Sequence, residues 1–299
     1  MAWIRTRDGA HLHYFDIGRG QPVVLLHGFA MPSQLWLPFL TGLTRRYRFI
    51  LPSLRGFGAS HAISLSQPSV LDQHADDLDD LLAHLKLGPI LLGGLSMGAC
   101  TALQYHRRHG FDQVRAYLHM DQAPCVTNQD DWRYGLLGAD QATRLPQWQA
   151  LMTELEPYRG LAFNRVPKPL QRHLWKTLTA FLGYAFHAGA MRQLSRLAHY
   201  GNLGGMLAPT VNWTIYLDVL QSYLRDNYDW RPTLPGIDIP MRVLVGMAST
   251  MYPATGQMMI RRWVPHAEIV PIAGCGHAIP FEAPRRFRAE LVDFLRTAA

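Results

Sequence analysis

The chain has 299 residues, of which 48% are hydrophobic and 11% aromatic, and its formal net charge is +7. This length and composition suffice for one large α/β domain or two small ones with a sizeable core, which excludes a disordered chain. No apolar run approaches the roughly 20 residues of a membrane-spanning helix, and the N-terminal segment lacks the apolar stretch of a signal peptide. We therefore expect a cytoplasmic protein without a membrane span.

The three cysteines, Cys100, Cys125 and Cys275, are widely spaced, which argues against a disulfide framework and a CxxC metal site. No HExxH or similar ligand spacing occurs, so we expect neither a metal nor another cofactor. Many basic residues occur in short arginine pairs, and no single basic stripe with interleaved aromatic residues is evident. We therefore expect no nucleic-acid partner, while the positive surplus favours anionic substrates.

Strand-like and helix-like segments alternate along the first 121 residues. Two short strands flank the turn signal Asp8-Gly9, and the apolar run at 22–29 is typical of a strand covered on both faces. Helical spacing at 36–43 and 68–87 indicates helices with one apolar face. The other expected elements are strands at 47–53, 89–94 and 114–121 and a helix directly after Ser96.

The same alternation returns near the C-terminus, where strands are expected at 241–246 and 267–274 and helices around 255–264 and 283–297. Strands that alternate with helices predict an α/β fold with a mostly parallel sheet and helices on both faces.

The intervening residues 124–240 lack strand-like runs and are rich in Trp, Tyr, Leu and Arg. We interpret them as a helical cap inserted into a core that is formed by residues 1–123 and 241–299. Helical stretches are expected in the cap at 142–156, 169–199 and 211–226, with a glycine-containing hinge at 201–205.

The stretch "GGLSMGAC", Gly93–Cys100, places a serine between an apolar strand-like run and a helix-like segment. The segment "GLSMG" around Ser96 resembles the GxSxG nucleophile elbow of the α/β-hydrolase family, in which a sharp strand-to-helix turn exposes the serine. Small residues two positions before and after the serine let the two chain segments pass closely. The helix N-terminus after Ser96 would offer N–H groups to a developing oxyanion.

Three further segments are similar to the same family, and to its serine esterase and cofactor-free haloperoxidase branch. "LLHGF" (Leu25–Phe29) resembles the loop after the third strand, which implies the backbone N–H groups of Phe29 and Met97 as oxyanion donors. "LRGFGAS" follows the next strand, and "GCGHAIPFEAP" resembles the loop that supplies the catalytic histidine, here His277. His27 is expected to organise its own loop through hydrogen bonds.

The acid departs from the usual family pattern. In most members it follows the strand at 241–246, but there the chain reads "GMASTMYP", with Ser249 in the place of the aspartate. The best candidate is Asp121, at the end of the preceding strand, because parallel strands end at the same edge of a sheet. Alternatives are a missing acid, or one of four other aspartates: Asp130, Asp131, Asp218 and Asp238.

The resemblance implies a serine hydrolase that cleaves a small-molecule carboxylic ester through an acyl-enzyme, with Ser96, His277 and Asp121 as its triad. The alternatives are a thioesterase or acyltransferase on coenzyme A or carrier-protein thioesters, and a non-catalytic binding protein of the same fold. Trp36, Trp132 and Tyr134 are the expected pocket residues. Other cap aromatics that would roof the pocket are Trp148, Phe163, Trp175, Phe181, Tyr184, Phe186, Trp213 and Tyr216.

Overall fold

A computed structural model describes residues 2–187 and 212–298 of the chain. Within these residues, eight strands form one sheet in the order β1-β2-β4-β3-β5-β6-β7-β8. The strands are β1 (Ala2–Arg5), β2 (His11–Gly18), β3 (Gln21–Leu26), β4 (Tyr47–Pro52), β5 (Ile90–Leu95), β6 (Val114–Met120), β7 (Met241–Gly246) and β8 (Glu268–Ile272).

The sheet is parallel from β4 to β8 and antiparallel only where β2 pairs with β1 and β4. Strands β5 and β7 are buried along their whole length because both faces of the sheet are covered. Successive residues alternate between the two faces: Val24 and Leu26 belong to one buried cluster and Val23 and Leu25 to the other.

Helices cover both faces of the sheet. Helices α1 and α2 contribute to the cluster on the face of Val24, and a 3₁₀ helix at Ser33–Leu40 and α8 contribute to the cluster on the face of Val23. The α-helices are α1 (Val70–Leu85), α2 (Met97–His109), α3 (Gln141–Leu155), α4 (Lys168–Gly183), α5 (Ile215–Arg225), α6 (Ala254–Met258), α7 (Ile279–Glu282) and α8 (Pro284–Thr297).

The chain between β6 and β7 is helical in the described residues, with α3, α4 and α5 as its α-helices. These helices share a small apolar cluster of their own. The cluster contains Leu151, Leu155, Phe163, Val166, Leu174, Trp213 and Leu217. Helix α5 is also fixed to the core, because Ser222 Oγ accepts a hydrogen bond of 3.1 Å from the N–H of Val70 at the start of α1.

The expected α/β fold with a mostly parallel sheet is confirmed. The helix expected at 36–43 is a 3₁₀ helix that contains Pro38, whose missing N–H is incompatible with a regular α-helix interior. The helix expected at 255–264 divides into α6 and a short 3₁₀ turn at Met259–Arg262. The division into core and cap at residues 124 and 240 stays a prediction. The expected helix beyond residue 187 and the hinge at 201–205 lie outside the described residues.

No helix in the described ranges combines the length and the apolar character that crossing a membrane requires.

Candidate active site

Strands β3 and β5 lie side by side at the point where the strand order of the sheet reverses. Strand β3 pairs with β4 on one side and with β5 on the other. In open α/β sheets, ligands bind at such a point, beyond the carboxyl ends of the strands. The fold therefore brings the loop after Leu26 and the turn at Ser96 to the edge where a ligand site is expected.

Ser96 occupies a strained turn between β5 and α2. Its backbone angles are φ 53° and ψ −119°, a region that costs a non-glycine residue about 1–3 kcal/mol. The flanking glycines are needed for close packing, since a Cβ at Gly94 would lie 2.5 Å from the carbonyl oxygen of Gly98, and one at Gly98 would lie 2.4 Å from that of Leu26. The elbow geometry predicted from "GLSMG" is therefore present.

Two backbone N–H groups near Ser96 are available to a ligand. Phe29 follows β3, and its neighbour Gly28 packs against Ser96, with 3.6 Å between a Cβ built on the glycine and the serine Cβ. Met97 is the first residue of α2. Neither the Phe29 nor the Met97 N–H has a hydrogen-bond acceptor within the described part of the chain. Both are therefore able to donate to an oxyanion.

His27 connects the loop after β3 to the loop after β4. Its Nε2 accepts a hydrogen bond of 2.9 Å from the N–H of Leu54, so its Nδ1 carries the proton and donates to the carbonyl of Gly28 at 2.8 Å. Complete burial lowers the pKa of His27 to about 4, which keeps the ring neutral. His27 thus has the organising contacts expected from the sequence.

Asp121 and His277 come together at the ends of neighbouring strands. Asp121 directly follows β6, is fully buried and has a left-handed backbone with φ 45°. Its Oδ2 lies 2.6 Å from Nδ1 of His277, in the loop after β8. The imidazole is itself 5% exposed. This contact holds Nδ1 as the protonated nitrogen and leaves Nε2 as the basic one.

Ser249 and Gln257 complete the surroundings of the Asp121 carboxylate. Ser249 Oγ donates to Oδ2 at 2.8 Å, and Gln257 Nε2 donates to Oδ1 at 3.1 Å. The N–H of Gly246 donates to Oδ1 at 2.8 Å. Ser249, which stands where most members of the family have the acid, therefore contacts the Asp121 carboxylate at the end of the neighbouring strand. Its position in the family pattern was the signal for this contact, while Gln257 gave no signal in the sequence.

The loop that carries His277 is attached to the segment after α4. Glu282 accepts a hydrogen bond from the N–H of Gly276 at 2.7 Å on one oxygen and from the N–H of His187 at 2.7 Å on the other. The N–H of Ala278 donates to the carbonyl of Ala185 at 2.9 Å. The loop of His277 and the segment after α4 are therefore joined on both sides of His277.

A cavity opens at Ser96 beneath α4 and α5, with about 550 Å³ of empty space that is partly open to solvent. None of its described lining residues is charged, and Phe29 contacts Phe181 of α4 and Tyr216 of α5 edge to face. The cavity is lined by Phe29, Ser96, Leu136, Trp148, Thr177, Leu178, Phe181, Tyr216, Val219, Leu220, Tyr223, Met251 and Tyr252. The arrangement suits an apolar group held next to a serine hydroxyl.

The three expected pocket residues do not line this cavity. Trp36 is fully buried in the cluster on the other face of the sheet, where it packs against Phe287 of α8. Trp132 is buried against Tyr134, with the Arg231 guanidinium 5.3 Å from its ring centroid. Both aromatic residues of that pair pack against α6. The three expectations were therefore wrong. Trp132 and Tyr134 follow Asp121 closely in sequence, but this closeness does not determine the direction in which the chain leaves the strand, and Trp36 belongs to a segment that packs on the opposite face of the sheet.

The other candidate acids have different surroundings. Asp131 and Asp218 form ion pairs with Arg231 and Arg159, and Asp130 and Asp238 are exposed. In residues 2–187 and 212–298, no group of three or more His, Cys, Asp or Glu side chains is arranged to hold a metal ion.

The sequence matches the model of a known protein family. A sequence model of the family described as the alpha/beta hydrolase fold matches residues 21–284. The chain therefore belongs to the alpha/beta hydrolase fold family, as the resemblance of its motifs predicted.

The chain is similar over nearly its whole length to curated proteins and solved structures with different names. The chain is 27% identical over 294 residues to the AB hydrolase superfamily protein YisY of Bacillus subtilis (strain 168), with 98% of each chain covered. It is 25% identical over 280 residues to the pimeloyl-[acyl-carrier protein] methyl ester esterase of Nitrosomonas europaea, covering 93% of this chain and 97% of the relative. A solved bromoperoxidase from Bacillus anthracis superposes with a TM-score of 0.75 at 22% identity, covering 99% of each chain.

Proposed function

We propose that the protein is a serine hydrolase that cleaves carboxylic esters through an acyl-enzyme, with Ser96, His277 and Asp121 as its catalytic triad. The observation that carries the proposal is the 2.6 Å contact between the buried Asp121 carboxylate and Nδ1 of His277, at the same sheet edge as Ser96. The hydrolase family and the esterase among its relatives support the same class of reaction.

In the first half of the reaction, Ser96 Oγ attacks the acyl carbon while Nε2 of His277 takes the hydroxyl proton. Asp121 stabilises the resulting imidazolium through Nδ1. The N–H groups of Phe29 and Met97 donate to the oxyanion of the tetrahedral intermediate. His277 then gives the proton to the leaving alcohol, and the acyl group stays on Ser96.

In the second half, His277 takes a proton from water as the water attacks the acyl-enzyme. Collapse of the second tetrahedral intermediate releases the carboxylic acid and returns the proton to Ser96. No cofactor takes part in any step. Each turnover consumes one water molecule and breaks one ester bond.

The cavity favours an uncharged, apolar acyl group. Charged substituents would lose hydration without gaining an ionic partner among the described lining residues. Trp148 and Phe181, which contact each other edge to face, offer flat apolar surface to the substrate. Esters of medium-length fatty acids or of aromatic acids therefore fit the site better than esters of dicarboxylic acids.

Hydrolysis of p-nitrophenyl esters from acetate to dodecanoate tests the proposal, with Ser96→Ala as the control protein. We expect the wild type to turn over with an optimum at intermediate chain length, and Ser96→Ala to lose nearly all activity above background. An active Ser96→Ala protein would exclude Ser96 as the nucleophile. If the wild type hydrolyses none of the esters, ester hydrolysis is excluded, and thioester hydrolysis and non-catalytic ligand binding are the functions that remain.

A further inference from the structure

The net positive charge of the chain comes from one stretch between β6 and β7, which lacks acidic residues. Residues 157–217 contain seven of the 29 basic residues and none of the 22 acidic ones. The other 238 residues therefore hold 22 of each sign, so this stretch accounts for the whole net charge of +7. The arginine pairs all lie outside this stretch, where basic and acidic residues balance, so the pairs do not account for the surplus.

The structure arranges the described cations of this stretch along α4. Lys168, Arg172 and Lys176 recur every four residues and are exposed, so they form one row about 12 Å long on the outer side of the helix. Arg165 is exposed just before the helix. None of these four side chains forms an ion pair with a described residue, whereas Arg159 is paired with Glu156 and Asp218.

The other side of the same helix faces the cavity above Ser96. Thr177, Leu178 and Phe181 line that cavity, and no described lining residue is charged. Helix α4 therefore has two different sides. The side toward the cavity is apolar and suits the acyl group, and the exposed side carries a row of cations. A substrate that matches both would join an apolar acyl group to a strongly anionic carrier.

We propose that the outer face of α4, defined by Lys168, Arg172 and Lys176, is a docking surface for a soluble protein that presents an acidic helix and carries the acyl group. A row of this length exceeds a single phosphate and matches acidic side chains spaced by four residues on a partner helix. This inference rests on the proposed acyl chemistry of the cavity and names the carrier of its substrate.

A lipid surface fits the same face less well. Besides the three cations, the exposed positions on α4 are Pro169, His173 and Ala180, which offer no large apolar side chain for insertion between lipids. Interfacial helices combine cations with such side chains. A nucleic acid would be bound by charge alone, since no exposed aromatic residue lies within the described α4.

The test measures binding of fluorescently labelled octanoyl-acyl carrier protein, an acidic protein, to the Ser96→Ala protein by fluorescence anisotropy. Arg172→Glu/Lys176→Glu is compared with Arg261→Glu/Arg262→Glu, a pair of exposed arginines outside the cap that gives the same change of net charge. We expect the α4 pair to raise Kd about tenfold or more and the control pair to raise it about twofold or less. Added salt should weaken wild-type binding, because the contacts are exposed.

The outcomes separate the docking surface from the proposed chemistry. Equal Kd values for both variant pairs, or no binding by the parent protein, would overturn the docking proposal. Octanoyl-coenzyme A, vesicles of anionic phosphatidylglycerol and a DNA duplex of about 20 base pairs serve as competitors. If one of these competitors binds more tightly than the carrier protein and loses affinity in Arg172→Glu/Lys176→Glu, its class replaces the acidic protein as the partner of this surface. Ester hydrolysis that survives in Ser96→Ala would instead overturn the proposed function, and leaves the Kd comparison valid.

Discussion

Asp121 combines complete burial, a left-handed backbone and four hydrogen-bond donors. The donors are the N–H of Gly246, Ser249 Oγ, Gln257 Nε2 and His277 Nδ1. A buried carboxylate without such partners would be strongly unfavourable, since it loses its hydration. Each oxygen accepts two of these bonds, so the carboxylate is fixed in the orientation that His277 needs.

We expect Asp121→Asn to lower kcat on p-nitrophenyl esters about 10³- to 10⁴-fold, the scale of removing a triad acid. The amide group presents an NH₂ to donors that need acceptors, and it removes the charge that stabilises the imidazolium. Asp131→Asn is the matched control, because Asp131 is exposed and paired with Arg231. A kcat for Asp121→Asn within tenfold of wild type would show that another residue orients His277.

Ser249 is expected to act as a positioning residue through Asp121. Loss of its hydroxyl in Ser249→Ala removes one donor from the oxygen that also bonds His277, and hydrogen bonds to charged groups are worth about 1.5–3 kcal/mol. Because three donors remain, we expect kcat to fall about tenfold at unchanged KM. Ser249→Thr keeps the hydroxyl and should restore most of the loss. A rise in KM alone, or an inactive Ser249→Thr, would contradict this role.

At the scale of the secondary-structure elements, the four-residue helix α7 connects two segments close to His277. Glu282 ends α7 and joins the loop of His277 to the segment after α4 through its two carboxylate oxygens. Ala185 and Ala278 add a backbone bond between the same two segments. The segment after α4 and the loop of His277 are therefore expected to lose order together.

Glu282→Gln should destabilise the protein by about 1.5–3 kcal/mol, because the amide can accept only one of the two N–H groups. The free energy of unfolding in urea and kcat on a p-nitrophenyl ester measure the two effects. We expect kcat to fall as well, since Gly276 directly precedes His277. Glu154→Gln, at an exposed position of α3, is the control. An unchanged unfolding free energy for Glu282→Gln would show that the loop is held by other contacts.

The order of the elements could be predicted because each rests on a local pattern. Apolar runs gave the buried strands, and the spacing of apolar residues gave α1 and α8. The elbow at Ser96 follows from steric limits that only glycine satisfies at positions 94 and 98. The strands, the helices and the contact at Gly94 depend on residues close in sequence, whereas Gly98 also makes room for Leu26 of β3.

The pocket could not be predicted in the same way, because its walls come from distant segments. Phe181 and Tyr216 meet at Phe29 only after α4 and α5 have packed on the core. In the sequence, Phe181 and Tyr216 are two of many aromatic residues between β6 and β7, and closeness to Asp121 favoured Trp132 instead. Ser249 was noticed as a departure from the family pattern, but its contact with Asp121 depends on the register of neighbouring strands.

At the scale of the whole molecule, three of the described histidines that the proposed reaction does not use are completely buried as neutral rings. Burial lowers the pKa of His27 to about 4, that of His74 to about 3 and that of His119 to about 4. Each ring bonds to a backbone carbonyl: Gly28 for His27, Arg55 for His74 and Gln122 for His119. Protonation of any of them would place a charge in the core.

These histidines predict a loss of stability on mild acidification. Between pH 6.5 and about 4, these histidines bind protons in the unfolded chain but stay neutral in the folded chain. The free energy of unfolding therefore decreases as the pH falls through this window. From pH 7 to pH 5 each histidine should cost up to about 2 kcal/mol, while most carboxylates stay ionised. Urea unfolding at both pH values measures the difference. His74→Gln, whose amide can still donate to the Arg55 carbonyl, should reduce the loss by up to about 2 kcal/mol, and His84→Gln, at an exposed position, should leave it unchanged. Equal losses in wild type and His74→Gln would mean that His74 is protonated in the folded protein.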